Sequence, residues 1–260
     1  MTALIFDCDG VLSDTERHGH LPAFNQTFAE LGLPVHWSEE EYADKLLIGG
    51  GKERMASMLT PELVARAGLP GDPDSQQELL GAWHLRKTAI YTDLVAQGRL
   101  PGRPGIARVV GEALSAGWLL AVASTSAEPS VLAILEHVVG PAEASRFSLV
   151  LAGDVVAHKK PAPDIYELAM ARLGEDPLRT LVVEDSRNGL VAATSAGLPC
   201  LITVNGYTLA EDFSEAAMVV SSLGEVGGEA TTVLANNTAA TPGAWISLED
   251  LEACMGGARA

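Results

Sequence analysis

The chain is 260 residues long and 47% hydrophobic, enough to bury a sizeable core in one domain or two small ones. Its 34 acidic against 17 basic residues give a formal charge of −17, which repels nucleic acid and anionic membrane, and no apolar run is long enough to span a bilayer. The start lacks the pattern of a signal peptide, and the scattered Cys8, Cys200 and Cys254 make neither a disulfide framework nor a zinc motif, so a cytoplasmic protein in a reducing compartment is expected.

The first apolar run is "ALIF" at 3–6, and "DCDG" follows it at once. The next run comes only after residue 103, far more chain than one crossover needs. Helical patterns fill the interval: Gly19–Leu31, Glu40–Leu46, Lys52–Leu59, Pro61–Ala67 and about Gln76–Ala96. A helical cap inserted after the first strand is the economical explanation. Beyond it, the runs "WLLAVAS" at 118–124, "FSLVLAG" at 147–153, "TLVVED" at 180–185 and "PCLITV" at 199–204 fit buried parallel strands. They alternate with helical segments Ile106–Ala116, Glu128–Val138, Pro163–Leu173 and Asn188–Ala196, several closed by a glycine. The expected fold is α/β, a doubly wound parallel sheet, with 1–14 and 104–260 as the core and 15–103 as the cap. From about Gly224 to Thr241 a loop is expected, closed by an amphipathic helix in "AWISLEDLEACM".

Ligands of such sheets bind beyond the carboxyl ends of the strands, and the polar residues of this chain fall there. Asp7 and Asp9 follow the first strand; Ser124, Thr125 and Ser126 follow the second. Lys160 follows the third after a loop, and Glu184 with Asp185 end the fourth. Each alone reads first as a turn former or helix cap, but all of them in order suggest one rim. Carboxylates crowded together repel unless a cation sits among them, and hard oxygen donors point to Mg²⁺. Asp7, Asp185 and the backbone carbonyl of Asp9 are the expected inner ligands, with Glu184 assisting directly or through water. Asn188 either orients these carboxylates or simply starts a helix. Lys159 reads as solvated, and strand alternation turns Cys8 away from the rim.

Within the cap, "GGGKERM" puts Gly50 and Gly51 before Lys52, Glu53 and Arg54 at a helix start, where amides and two cations suit an anion. A plain turn before a helix is the other reading, and the absence of Ser or Thr after Lys52 excludes a Walker A loop. His84 and Lys87 lie three apart on one helix face, which is otherwise an ordinary solvated face. Residues 15–103 hold nine basic and twelve acidic residues, against eight and nineteen in 104–260, so the cap is the comparatively cationic part.

The set "DCDG" at 7–10, "AST" at 123–125, "KKPAPDIY" at 159–166 and "VVEDSRNG" at 182–189 resembles the haloacid dehalogenase superfamily. The resemblance implies a Rossmann-like core, a helical cap and an aspartyl-phosphate mechanism, and the second aspartate of "DCDG" resembles phosphatases and phosphomutases rather than dehalogenases. It implies Asp7 as nucleophile, Asp9 as general acid and base, Ser124 and Lys160 as ligands of the transferring phosphate, and Thr125 and Ser126 beside them. The stretches "NQTFAELGL", "GGGKERM", "RPGI", "AGDVVAHKKPAPDIY" and "GYTLAEDF" further resemble the xylulose-1,5-bisphosphate phosphatase group that accompanies ribulose-bisphosphate carboxylase and removes an inhibitor of it. That likeness implies a sugar bisphosphate as the small-molecule partner, with Glu16, Gly50–Arg54, His84, Lys87 and Arg103 contacting the sugar and the second phosphate. β-Phosphoglucomutase, another sugar-phosphate or phosphoglycolate phosphatase, and a non-catalytic sugar-phosphate sensor are the alternatives. The sequence leaves the oligomeric state open, a monomer being compatible with it.

Overall fold

A computed structural model describes residues 1–46, 48 and 51–256 of the chain. The chain divides into two compact units, Met1–Asp14 with Leu100–Ala260, and Thr15–Arg99. The expected boundary after residue 103 lies instead after Arg99. Ser13 Oγ donates to Pro101 O at 2.8 Å and the Arg103 amide to Leu12 O at 3.0 Å, so the returning chain is already bonded to the first unit.

The inserted unit is helical: α1 (Leu21–Glu30), α2 (Glu39–Leu46), α3 (Gly51–Ala56), α4 (Pro61–Ala67) and α5 (Pro73–Ala96). A π-helical turn, Glu16–His20, leads into α1. Thr60 and Asp72 cap α4 and α5 by accepting amide hydrogen bonds, each followed by a proline at the first helical position. Along α5 the buried side chains Trp83, Lys87, Ile90, Tyr91 and Val95 recur at intervals of three and four, the mark of one buried face. A lysine therefore sits at a core position of this helix. Phe24, Phe28, Trp37 and Tyr42 pack as an aromatic group with centroids 4.8–6.2 Å apart, each pair worth about 0.5–1.5 kcal/mol beyond the area it buries.

The other unit is a seven-stranded sheet with helices between its strands. In chain order it holds β1 (Ala3–Phe6), α6 (Ile106–Ser115), β2 (Leu119–Ala123), α7 (Glu128–Val139), α8 (Pro141–Ala144), β3 (Leu149–Leu151), α9 (Asp164–Leu173), β4 (Thr180–Glu184), α10 (Arg187–Ser195), β5 (Cys200–Thr203), β6 (Met218–Val220), β7 (Val233–Asn236) and α11 (Leu248–Met255). The strand order is β3-β2-β1-β4-β5-β6-β7, parallel except for β7. β1, β4 and β5 are buried throughout, which explains why they read as unbroken apolar runs. Phe6 pairs with Val122 on one side and Val183 on the other, so the carboxyl ends of the three central strands lie level. β7 corrects the expected loop: an exposed antiparallel edge strand lies within it, too short and too polar in its flanks to stand out. The closing helix is present as α11, started by a capping box between Ser247 and Asp250.

Candidate active site

The level strand ends place Asp7, Ser124, Glu184 and Asp185 at one rim, and Lys160 reaches the same point from the loop after β3. Its Nζ donates to Asp7 Oδ1 at 2.6 Å, Glu184 Oε1 at 2.6 Å and Ala123 O at 2.9 Å. All three side chains are nearly buried. Burial works against the ammonium, but the charges of Asp7 and Glu184 and their hydrogen bonds outweigh it and hold Lys160 above the usual lysine range. Lys159 is exposed and pairs with Asp154 at 2.8 Å.

Asp7, Glu184 and Asp185 each turn an oxygen into one cluster spanning no more than 4.8 Å. Burial pushes Asp7 up to about 7, with Glu184 and Asp9 adding to the rise and Lys160 opposing it. Asp185 is driven well above the carboxylate range by burial, Glu184 and Asp7. One lysine thus fails to balance this cluster, and an all-oxygen donor set of this size fits Mg²⁺. Glu184 is the most encumbered member: Oε1 also accepts from Tyr166 Oη at 2.6 Å, and Oε2 accepts from the Asp185 amide at 3.1 Å. Its carboxylate lies so close to Gly189 that a Cβ there would come within 1.9 Å of it. Likewise a Cβ on Gly10, whose φ of +76° already favours glycine, would meet Asp185 Oδ2 at 2.0 Å. The second residue of "NG" and the last of "DCDG" are therefore spaces that the carboxylates occupy.

Asp9 stands outside the cluster. Its Oδ2 accepts from Ser126 Oγ, and Ser126 N donates to the Oγ of buried Ser124 at 3.1 Å. Ser126, expected beside the phosphate, instead holds the candidate acid. Thr125 is exposed next to it. Asn188, considered as an aid to the carboxylates, is exposed on the first turn of α10 and makes no hydrogen bond to them among the described residues. Tyr166 Oη and Asn205 Nδ2 donate to them instead, to Glu184 at 2.6 Å and to Asp185 at 2.7 Å. Cys8 is fully buried, as alternation requires.

Arg103 is not placed to meet a substrate. Its guanidinium donates to Gly10 O, to Thr203 O at 2.8 Å, and to Val204 O and Ser221 O at 2.6 Å each. Four main-chain carbonyls satisfy this largely buried cation, which fastens the end of β5 to the "DCDG" turn.

In the inserted unit, Gly51 starts α3 and Lys52 and Glu53 are exposed; Gly50 lies outside the described residues. A Cβ on Gly51 would sit 3.1 Å from His84 Nε2. Arg54 Nη1 donates to Tyr42 Oη at 2.9 Å and lies 3.5 Å from Glu16, whose carboxylate also accepts from Tyr42 Oη at 2.5 Å. Lys87 Nζ meets His20 Nδ1 at 2.8 Å and lies over the rings of Phe24 and Tyr91 at 4.7 and 5.1 Å. Burial, then the charge of Lys87, lowers His20 well below its ordinary pKa, so a neutral Nδ1 accepts from the ammonium. Burial and the neighbouring lysines lower His84 as well. Tyr42 and His20 went unread in the sequence, although Glu16 and His20 are one helical turn apart.

Among known proteins, the model of the haloacid dehalogenase-like hydrolases matches residues 1–197. The "CBBY-like protein" of Arabidopsis thaliana is 45% identical over 86% of this chain and 70% of its own length. "Protein CbbY" of Cereibacter sphaeroides is 42% identical over 87% of this chain and 94% of its own. A crystal structure of a mutant CbbY from Rhodobacter sphaeroides in complex with xylulose-(1,5)bisphosphate superposes with a TM-score of 0.70 at 39% identity, covering 87% of this chain and 98% of that one.

Proposed function

The chain belongs to the haloacid dehalogenase-like hydrolases, and from that membership we propose that it is a Mg²⁺-dependent phosphatase that removes the 1-phosphate from xylulose 1,5-bisphosphate. The observation that carries the chemistry is the buried Lys160 gripping Asp7 and Glu184 beside Asp185, with Asp9 held by Ser126 at the same strand end. What supports the substrate is the complex of the 39% identical CbbY with that bisphosphate, together with the cations of the inserted unit.

In this reading Asp7 attacks phosphorus in line, the P–O bond to the sugar breaks, and an acyl phosphate forms on Asp7. Asp9 gives its proton to the departing alkoxide, then takes one from the water that hydrolyses the acyl phosphate and restores Asp7. Lys160 fixes Asp7 and favours its ionised form against burial, while Ser124 and nearby amides bind phosphate oxygens. Mg²⁺, held by Asp7, Asp185, the Asp9 carbonyl and Glu184, would offset repulsion between carboxylate and phosphate. Glu16, Lys52, Arg54 and His84 select the sugar and its second phosphate, with Lys87 supporting them from the core through His20. The product is then xylulose 5-phosphate, and the reaction clears an inhibitor of ribulose-bisphosphate carboxylase.

The test is a phosphate-release panel of xylulose 1,5-bisphosphate, ribulose 1,5-bisphosphate, fructose 1,6-bisphosphate, 2-phosphoglycolate and glucose 1-phosphate, run on the unchanged protein and on Lys52→Ala. Lys52 is the cleaner probe because Arg54 also supports Tyr42 and Glu16. Xylulose 1,5-bisphosphate should show the highest kcat/KM, and Lys52→Ala should lower it about 10- to 150-fold, one charge-assisted contact, while barely touching 2-phosphoglycolate. A preference for a monophosphate sinks the assignment. Isomerisation of glucose 1-phosphate without phosphate release makes the protein a mutase.

A further inference from the structure

We propose that Asn205 is a positioning residue for Asp185, fixing which carboxylate oxygen is presented to a cation; the inference rests on the Mg²⁺ reading above. Asn205 is the first residue after Val204 at the carboxyl end of β5, on the same rim as the other site residues. Its Nδ2 donates to Asp185 Oδ2 at 2.7 Å. Its Oδ1 accepts from the amides of Tyr207 at 2.8 Å and Thr208 at 3.2 Å. Two amide donors on one end of the side chain settle its orientation: the oxygen faces the loop and the NH₂ faces Asp185. Thr208 Oγ1 accepts in turn from the Asn205 amide at 3.1 Å, closing the turn.

The surroundings are built around this contact. Gly10 leaves room for it, since a Cβ there would stand 2.0 Å from Asp185 Oδ2 and 3.0 Å from Asn205 Nδ2. Arg103 holds the carbonyls of Thr203 and Val204 at 2.8 and 2.6 Å and that of Gly10 as well, so the two backbone segments flanking the contact share one anchor. With Oδ2 engaged by the amide, the Asp185 carboxylate that contributes to the cluster is held in one orientation. The chemistry of the partner matters. An arginine or lysine here would neutralise Asp185 and compete with the cation, whereas a primary amide orients the carboxylate and leaves its charge intact. This gives the "NGYT" stretch after β5 a task that the catalytic steps do not otherwise assign to it.

Asn205→Ser separates the two bonds of this side chain. The serine hydroxyl still accepts from an amide two residues on, but it is too short to reach Asp185. Isothermal titration of MgCl₂ into the substrate-free protein is the readout. Asn205→Ser and Asn205→Ala should both weaken Mg²⁺ binding about 10- to 100-fold, the range for loss of an outer partner of a metal ligand. Thr208→Val loosens the same loop and keeps the contact, so it should lower the denaturation midpoint in EDTA and leave Mg²⁺ affinity within about twofold. Mg²⁺ affinity within twofold of the unchanged protein in the Asn205 variants, or an equal loss in Thr208→Val, overturns the proposal and makes Asn205 a loop-former. If the unchanged protein binds no Mg²⁺, the metal reading itself fails and takes this inference with it.

Discussion

Replacing Asp7 with asparagine should abolish phosphate release, a loss of about 10⁶-fold in kcat, the scale seen when a covalent enzyme loses its nucleophile. The amide keeps the size of the side chain but cannot form an acyl phosphate. Stability should move the other way. Burial raises Asp7 from 3.8 to about 7, so in metal-free protein its ionisation opposes folding. The sign is set by the unfolded chain, which ionises first as pH rises: no penalty exists below pH 3.8, and the full penalty is present above about 7. In EDTA the unchanged protein should therefore lose denaturant resistance across that window, and Asp7→Asn should lose less. Retained turnover in Asp7→Asn, measured by phosphate release, would remove Asp7 from the chemistry.

Lys160→Met should damage stability and rate together. The ammonium is the hydrogen-bond donor common to Asp7 and Glu184, and its removal leaves two buried carboxylates facing each other across a methyl group. Breaking a buried pair in this way costs about 3–5 kcal/mol. Losing a preorganised cation at the reacting phosphate costs about 10²–10³ in kcat. The two effects separate with pH. The Lys160 pKa is raised, so its stabilisation is fully present below the unfolded lysine value and is lost only above that range, but its partner Asp7 takes up a proton below about 7. Denaturation from pH 8 to pH 5 should show the deficit of Lys160→Met narrowing as pH falls, and added Mg²⁺ should recover part of it. A deficit independent of pH and Mg²⁺ would mean that Lys160 matters only through packing.

The carboxylate cluster was legible because parallel strands buried on both faces leave no room for polar side chains except at their ends. Asp7, Ser124, Glu184 and Asp185 stand out against apolar runs for that reason. The same rule, carried to the fifth run "PCLITV", reaches Asn205, although an asparagine before a glycine also reads as an ordinary turn. The anchoring by Arg103 is invisible for a different reason: its partners are main-chain carbonyls from three separate parts of the chain, and a carbonyl leaves no trace in a sequence. Lys87 sits at a core position of α5, paired with His20 and laid over two rings, where charge alone suggested solvent. Strand β6, with three residues, and edge strand β7 owe their existence to neighbours already in the sheet rather than to their own pattern.

Acid quench within the first turnover, using xylulose 1,5-bisphosphate labelled at the 1-phosphate, tests the central claim directly. Peptide mapping should find the label on the peptide that contains Asp7, and a chase into unlabelled substrate should convert it fully to inorganic phosphate at a rate no slower than kcat. Label on any other residue, or complete turnover with no labelled peptide at any quench time, would contradict nucleophilic attack by Asp7 and with it the assignment of the rim as a phosphatase site.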